Sequence, residues 1–163
     1  TPEKIFKNSV IDACAQCTES FDSKNANSYT RFFCKTAFEK LEYGILNNDH
    51  LSIVLGSLYS GLGFGNASTT LGHALSYVFS NEGFSHGHAL AFTTLAAHKF
   101  NQSIYYHPFK NLISKLNFQN ITLEQNLDTA AKQILTDKKH LDNNPIEVSH
   151  DDIVNLLKLI CNA

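Results

Sequence analysis

At 163 residues and 18.2 kDa, with 43% hydrophobic and 17% charged residues, the chain has enough apolar material for one proper core and reads as a single domain. Lys and Arg total 13 against 15 Asp and Glu, and a formal net charge of -2 provides no electrostatic footprint for nucleic acid or an anionic membrane, so neither is expected as a partner. No apolar run reaches the roughly 20 residues that cross a bilayer, and the N-terminal stretch lacks the charged-then-apolar layout of a secretory signal, which makes the expected setting cytoplasmic.

Helical periodicity runs from end to end, without alternating β-branched runs bounded by hairpin turns, so the expected fold class is all-α, a multi-helix domain. The first helix carries Phe6, Val10, Ala13, Cys17 and Phe21 at helical spacing behind Pro2, a residue suited to a first turn. Phe33, Ala37, Phe38, Leu41 and Ile45 form a second stripe, closed by the polar run Asn47, Asn48 and Asp49. From Leu51 to Leu62 the residues are apolar almost all round, the pattern of a helix buried at the centre of a domain, and Gly61, Gly63 and Gly65 are expected to break it. A fourth helix is expected from about Ala67 to Phe79 and a fifth from about His86 to Phe100, joined by the turn-like Ser80-Asn81-Glu82-Gly83. Amphipathic helices follow over Phe109 to Leu116, Leu123 to Ile134 and Ile153 to Cys161, with capping boxes expected from Thr122 with Gln125 and from Ser149 with Asp152. The four cysteines, Cys14, Cys17, Cys34 and Cys161, are too few and scattered for a disulfide scaffold and are expected to be reduced and buried.

Asp12 and Gln16 stand four residues apart on the first helix and point from one side of it, with Glu19 one turn further on. A carboxylate and an amide oxygen at that spacing can hold one cation, or simply form a solvated polar face. His73 lies within Leu71-Gly72-His73-Ala74-Leu75, where a neutral imidazole needs a hydrogen-bond partner or a metal. His86 and His88 follow in Ser85-His86-Gly87-His88, where Ser85 can cap the helix and Gly87 admits a neighbouring backbone. One such His is most often a satisfied core or surface residue, whereas the set, joined to an Asp-bearing helix, points to a divalent-metal site. The spacing fits no zinc finger, and Cys14-x-x-Cys17 has no second pair to complete a thiolate site. Gly61-Leu-Gly63-Phe-Gly65 follows a helix rather than a strand, so it reads as a tight inter-helix turn and not as a phosphate-binding fingerprint.

In order along the chain, Gly63-Phe-Gly-Asn66, Leu71-Gly-His73-Ala74 and Ser85-His86-Gly87 resemble the metal-site signature of the iron-containing alcohol dehydrogenases. Asp142-Asn-Asn-Pro145 followed by Ser149-His-Asp-Asp152-Ile153 is similar to that family's closing Asn-Pro turn and last helix, so the resemblance spans essentially the whole chain. Dehydroquinate synthase and glycerol dehydrogenase share the wider fold and resemble it less. His73-Ala-Leu-Ser-Tyr77 with His86-Gly-His88-Ala89 looks most like the branch that includes phosphonoacetaldehyde reductases and hydroxyethylphosphonate dehydrogenases.

The resemblance implies that residues 1–163 form a single C-terminal helical metal-binding domain in which Asp12, Gln16, His73 and His86 hold Fe(II) or Zn(II). Gln16 stands where the family has a His, and a neutral amide oxygen is a weaker donor than imidazole. Tyr77 stands where many relatives have a second His near the nicotinamide. The implied reaction is hydride transfer between NAD(P)H and a carbonyl carbon, interconverting a small polar alcohol and aldehyde of phosphonoacetaldehyde type, with the metal polarising the oxygen. Tyr77 and His88 are candidates to orient the substrate or relay a proton. The N-terminal nucleotide-binding domain of such enzymes is absent from these residues, so NAD(P) binding is expected only with that missing domain, and the chain alone is expected to be inactive. Its uncovered cleft face implies a homo-oligomer. The rival reading, favoured by Gln16, Tyr77 and the missing domain, is a helical binding or structural module that has kept the fold and lost the metal and catalysis.

Overall fold

The computed structural model describes residues 2–162, and every regular element among them is helical, as the periodicity requires. Helix α1 (Glu3–Asp22) is the central strut: from Val10 to Ser20 nearly every side chain is buried, and it packs against α2 (Ser28–Asn47), α3 (His50–Ala67), α4 (Leu71–Asn81), α5 (His86–Phe100) and α6 (Tyr106–Leu116). Three further helices close the chain, α7 (Leu127–Ile134), the single-turn α8 (Lys138–Leu141) and α9 (His150–Cys161). None of the described helices is long and apolar enough to cross a membrane.

The apolar residues sort into two cores that share α5. One gathers Ile11, Cys14, Cys17, Cys34, Leu41 and Phe109 from α1, α2 and α6; the other gathers Leu75, Phe79, Ala97, Ile134, Ile153 and Leu157 from α4, α5, α7 and α9. Cys14, Cys17 and Cys34 are buried and free, as expected, while Cys161 is half-buried.

Helix ends follow local chemistry. Asn27 and Thr30 form a reciprocal capping box at the start of α2, which stops at Asn48 in the left-handed conformation (φ 56°). The Ser149 and Asp152 box expected at the last helix is present. The box expected from Thr122 and Gln125 is not: α7 begins later, capped by the Asn126 side chain. The backbone N–H groups of Glu124 and Gln125 instead donate to the Glu82 carboxylate (2.7 and 3.0 Å), which holds residues 124–125 out of the helix. Ser85 sits at the N-cap of α5, but its hydroxyl makes no capping bond.

Two expectations about α3 are corrected. It is not the central helix: Leu51, Val54 and Leu58 are exposed, and α3 packs inward through Ile53, Gly56, Ser60 and Gly63. Nor do the glycines break it, since the helix runs through Gly61, Gly63 and Gly65 to Ala67. A Cβ on Gly63 would lie 2.5 Å from the Cys34 sulfur, so this glycine admits α2 at close range. The chain leaves α3 at Ser68 (φ 64°), and α4 starts only at Leu71. This linker is pinned by the Asn-Pro turn, whose Asn143 amide donates to the carbonyls of Ala67 (2.8 Å) and Thr69 (3.1 Å). Asn144 exchanges hydrogen bonds with Asn101 (2.8 and 2.9 Å), tying the same turn to the end of α5.

Candidate metal centre

The spacing of α1 puts Asp12, Gln16 and Glu19 on the face that meets α4 and α5. The first turn of α4 presents His73 to them, and the first residue of α5 presents His86, whose helix start presses so tightly on α1 that a Cβ at Gly87 would lie 2.1 Å from the Asn8 carbonyl oxygen. One ligand atom each from Asp12, His73 and His86 lies within 4.8 Å of the others. His73 Nε2 is 3.9 Å from Asp12 Oδ1, and the His73 and His86 rings stand edge to face with centroids 5.5 Å apart.

Glu19, which the sequence placed merely one turn beyond Gln16, underlies this arrangement. It is 1% exposed, and its carboxylate accepts from the Thr70 N–H (2.8 Å), the Thr70 hydroxyl (3.1 Å), the Thr94 hydroxyl (2.8 Å) and His73 Nδ1 (3.1 Å). Burial alone would raise its pKa, but the His73 charge and hydrogen bond, His98 and the Thr70 backbone outweigh burial and hold it down to about 2. An ionised carboxylate can only accept, so His73 must donate from Nδ1, and in the neutral ring the lone pair is then the one on Nε2, the nitrogen facing Asp12. Gly72 makes room for this contact: a Cβ there would meet Glu19 Oε1 at 2.2 Å.

The remaining charges are balanced against one another. Burial raises the Asp12 pKa, partly offset by His73 and His86, and Gln16 Nε2 donates to Asp12 Oδ1 at 2.9 Å. Burial lowers the His86 pKa, partly offset by Asp12, which favours the neutral imidazole that binds metals. For His73 burial also lowers the pKa, but Glu19 outweighs it and the net shift is upward. Two imidazole nitrogens and a carboxylate oxygen converging in this way fit Fe(II) or Zn(II).

The centre opens into a cleft of about 400 Å³ lined by Gln16, Thr69, His73, Tyr77 and His86, together with Lys139 and His140 from α8. Tyr77 stacks on His86 (centroids 6.2 Å apart, interplanar angle 18°) with its ring half-exposed. His140, which no sequence pattern indicated, stacks over His73 (6.1 Å, 19°) and is anchored by Asp137 at 2.7 Å. His88 is not brought to the centre. Residues two apart on a helix point about 200° apart, and His88 turns away from His86 into a nest of Phe84, Phe92 and Phe118, bonded to the Gln119 carbonyl.

Comparison with known proteins matches residues 7–134 to the model of the Fe-containing alcohol dehydrogenase family, C-terminal region. The chain is 38% identical over 99 residues to 4-hydroxybutyrate dehydrogenase from Clostridium kluyveri, an alignment covering 54% of this chain and 27% of that enzyme. Its fold matches the iron-containing alcohol dehydrogenase of Thermococcus thioreducens (TM-score 0.88, 18% identity, 100% of this chain and 52% of that one). It equally matches sulfoacetaldehyde reductase from Bifidobacterium kashiwanohense in complex with NAD+ (TM-score 0.87, 18% identity, 100% and 52%). The chain thus spans about half the length of these solved structures.

Proposed function

The chain belongs to the Fe-containing alcohol dehydrogenase family, to its C-terminal region, and from that premise we propose that it is the metal-holding half of an NAD(P)-dependent dehydrogenase acting on a small polar alcohol and its aldehyde. The observation that carries this reading is the convergence of Asp12, His73 and His86 within 4.8 Å, with Glu19 bonded to the far side of His73. These residues, with Gln16 beside them, would hold Fe(II) or Zn(II), which when bound acts as a Lewis acid toward the substrate oxygen.

The protein's own contribution is positioning. Glu19 fixes the His73 tautomer and ring direction, Gln16 steadies Asp12, and the stacked Tyr77 and His86 rings form one wall of the cleft, where Tyr77 is the residue best placed to orient a substrate or pass a proton through its hydroxyl. Lys139 brings a positive charge to the lining of that cleft. A substrate with an anionic end suits it, and the names of two relatives, 4-hydroxybutyrate dehydrogenase and sulfoacetaldehyde reductase, support a small carbonyl compound of that kind. Nicotinamide chemistry is the part of the reaction for which these residues offer no phosphate-binding fingerprint, so turnover requires the nucleotide-binding half of the enzyme.

Metal analysis of the purified protein tests the reading. We expect close to one equivalent of iron or zinc, lost in His73→Ala. A folded wild-type chain that takes up neither metal would overturn the proposal and favour the second reading, a fold-retaining module without metal, for which Gln16 is the specific observation.

A further inference from the structure

We propose that the metal at this centre is held by three side chains, Asp12, His73 and His86, and that Gln16 stays outside the coordination shell as a hydrogen-bond clamp on Asp12. This rests on the metal reading above. Gln16 Nε2 and Asp12 Oδ1 are 2.9 Å apart. Two oxygens repel at that distance, so the amide presents its NH2 to the carboxylate and its oxygen elsewhere. His73 Nε2, at 3.9 Å, is beyond hydrogen-bond reach of Asp12, and the bond from Gln16 is the hydrogen bond the structure gives this half-buried carboxylate.

Turning the amide over to offer its oxygen to a cation would exchange a charge-assisted hydrogen bond for a neutral, weak ligand, and would leave Asp12 without its donor. Keeping the amide in place holds Asp12 with Oδ1 facing His73 Nε2 at 3.9 Å, and that oxygen can accept from the amide while its second lone pair stays available to a cation. Gln16 therefore does for Asp12 what Glu19 does for His73: each residue on α1 grips a ligand from behind. The donor set is two imidazoles and one carboxylate, one ligand fewer than an Asp with three His would supply.

Cobalt(II) titration of the chain, followed by its visible ligand-field spectrum and by circular dichroism, tests this. Q16A is expected to weaken Co(II) binding on the order of 10-fold, as loss of an outer partner does, while the bands keep the position and intensity of the wild type. H86A should shift the bands, and Q16H should tighten binding and shift them as an imidazole enters the shell. Bands in Q16A that move as they do in H86A would make Gln16 a ligand and overturn the proposal; unchanged Co(II) affinity in Q16A would remove the clamp. A folded wild-type chain that binds no Co(II) would instead sink the metal reading itself.

Discussion

On the side of α1 that meets α4 and α5 the interior is polar, and on the side that meets α2 and α3 it is apolar and small. The first side buries Thr18, Glu19, Thr70, His73, Thr94 and His98: the Glu19 carboxylate accepts from Thr70, His73 and Thr94, and His98 is bonded to Thr18. The second buries Cys14, Cys17, Cys34, Ala37 and Leu41, with Gly63 against Cys34 and a buried hydrogen bond from the Ser60 hydroxyl to the Ala13 carbonyl (2.8 Å). Burial raises the thiol pKa values on this side, Cys34 to about 12, so these cysteines act as small hydrophobic groups. One helix thus carries packing on one face and a prearranged constellation on the other. A satisfied buried network adds direction, because each member tolerates few alternative geometries, whereas small apolar contacts add burial without direction.

Breaking each side by one residue gives the largest contrast. Glu19→Ala leaves the Thr70 N–H, the Thr94 hydroxyl and His73 Nδ1 without their acceptor, and the expected loss is about 3–5 kcal/mol. Cys17→Ala on the other face removes one buried sulfur, with an expected loss of about 1 kcal/mol. Urea unfolding of the two variants measures both. Equal losses would mean that the polar face carries no special burden.

The next contrast comes from pH. His98 is fully buried, and its Nε2 donates to Thr18 Oγ1 (2.8 Å), which itself donates to the Cys14 carbonyl; burial lowers its pKa from 6.5 to about 4, against the pull of Glu19, so the ring is neutral at pH 7. Between those values the unfolded chain takes up a proton that the folded chain refuses, so stability falls as pH drops from 6.5 to 4, by about 3 kcal/mol in all. Glu19, held at about 2, remains ionised through that window, and its contribution is lost only as pH falls from 4.5 toward 2. His73, with its pKa raised, acts on the other flank: its contribution is complete below 6.5 and is lost as pH rises through its folded value. Unfolding free energies measured from pH 7 to 4 should show the slope, and His98→Asn should flatten it. A slope that survives in that variant belongs to another group.

What was legible in the sequence follows the same division. Periodicity reveals α1, α2, α5 and α9 because each must bury one continuous stripe, and the Ser149 and Asp152 box is legible because the reciprocal bonds are local. Asp12, His73 and His86 stand out as residue types that need partners, and the structure brings them together. Gly63 misleads because a glycine that ends a helix and one that admits a neighbour look alike until the neighbour, Cys34, is placed; Gly61 and Gly65 face open space and are carried within the helix. His88 misleads because histidines two apart in sequence read as members of one set, while the helix turns them apart. Glu19 was visible on the Asp12 face, but its partners lie 51 to 75 residues away, and no local pattern reports them. His140 sits on a helix of four residues, too short to show a period.

The smallest expected effect belongs to the outer face of α3. This helix carries no Asp, Glu, Lys or Arg, and Leu51, Val54 and Leu58 are 67%, 65% and 58% exposed. If this face is surface in solution, its leucines leave little water-contacting area behind on folding, and Leu58→Gln, which keeps a good helix former, should change the unfolding free energy by no more than about 0.5 kcal/mol. The inward residues of the same helix set the reference, since Ile53, Gly56, Ser60 and Gly63 make its contacts with α1 and α2. A loss for Leu58→Gln that approaches the roughly 2 kcal/mol of a buried leucine, and that shrinks on dilution, would mean that the stripe is covered by a second copy of the chain. The contrast around α1 would then extend to α3, with an apolar face for packing on each of its two sides.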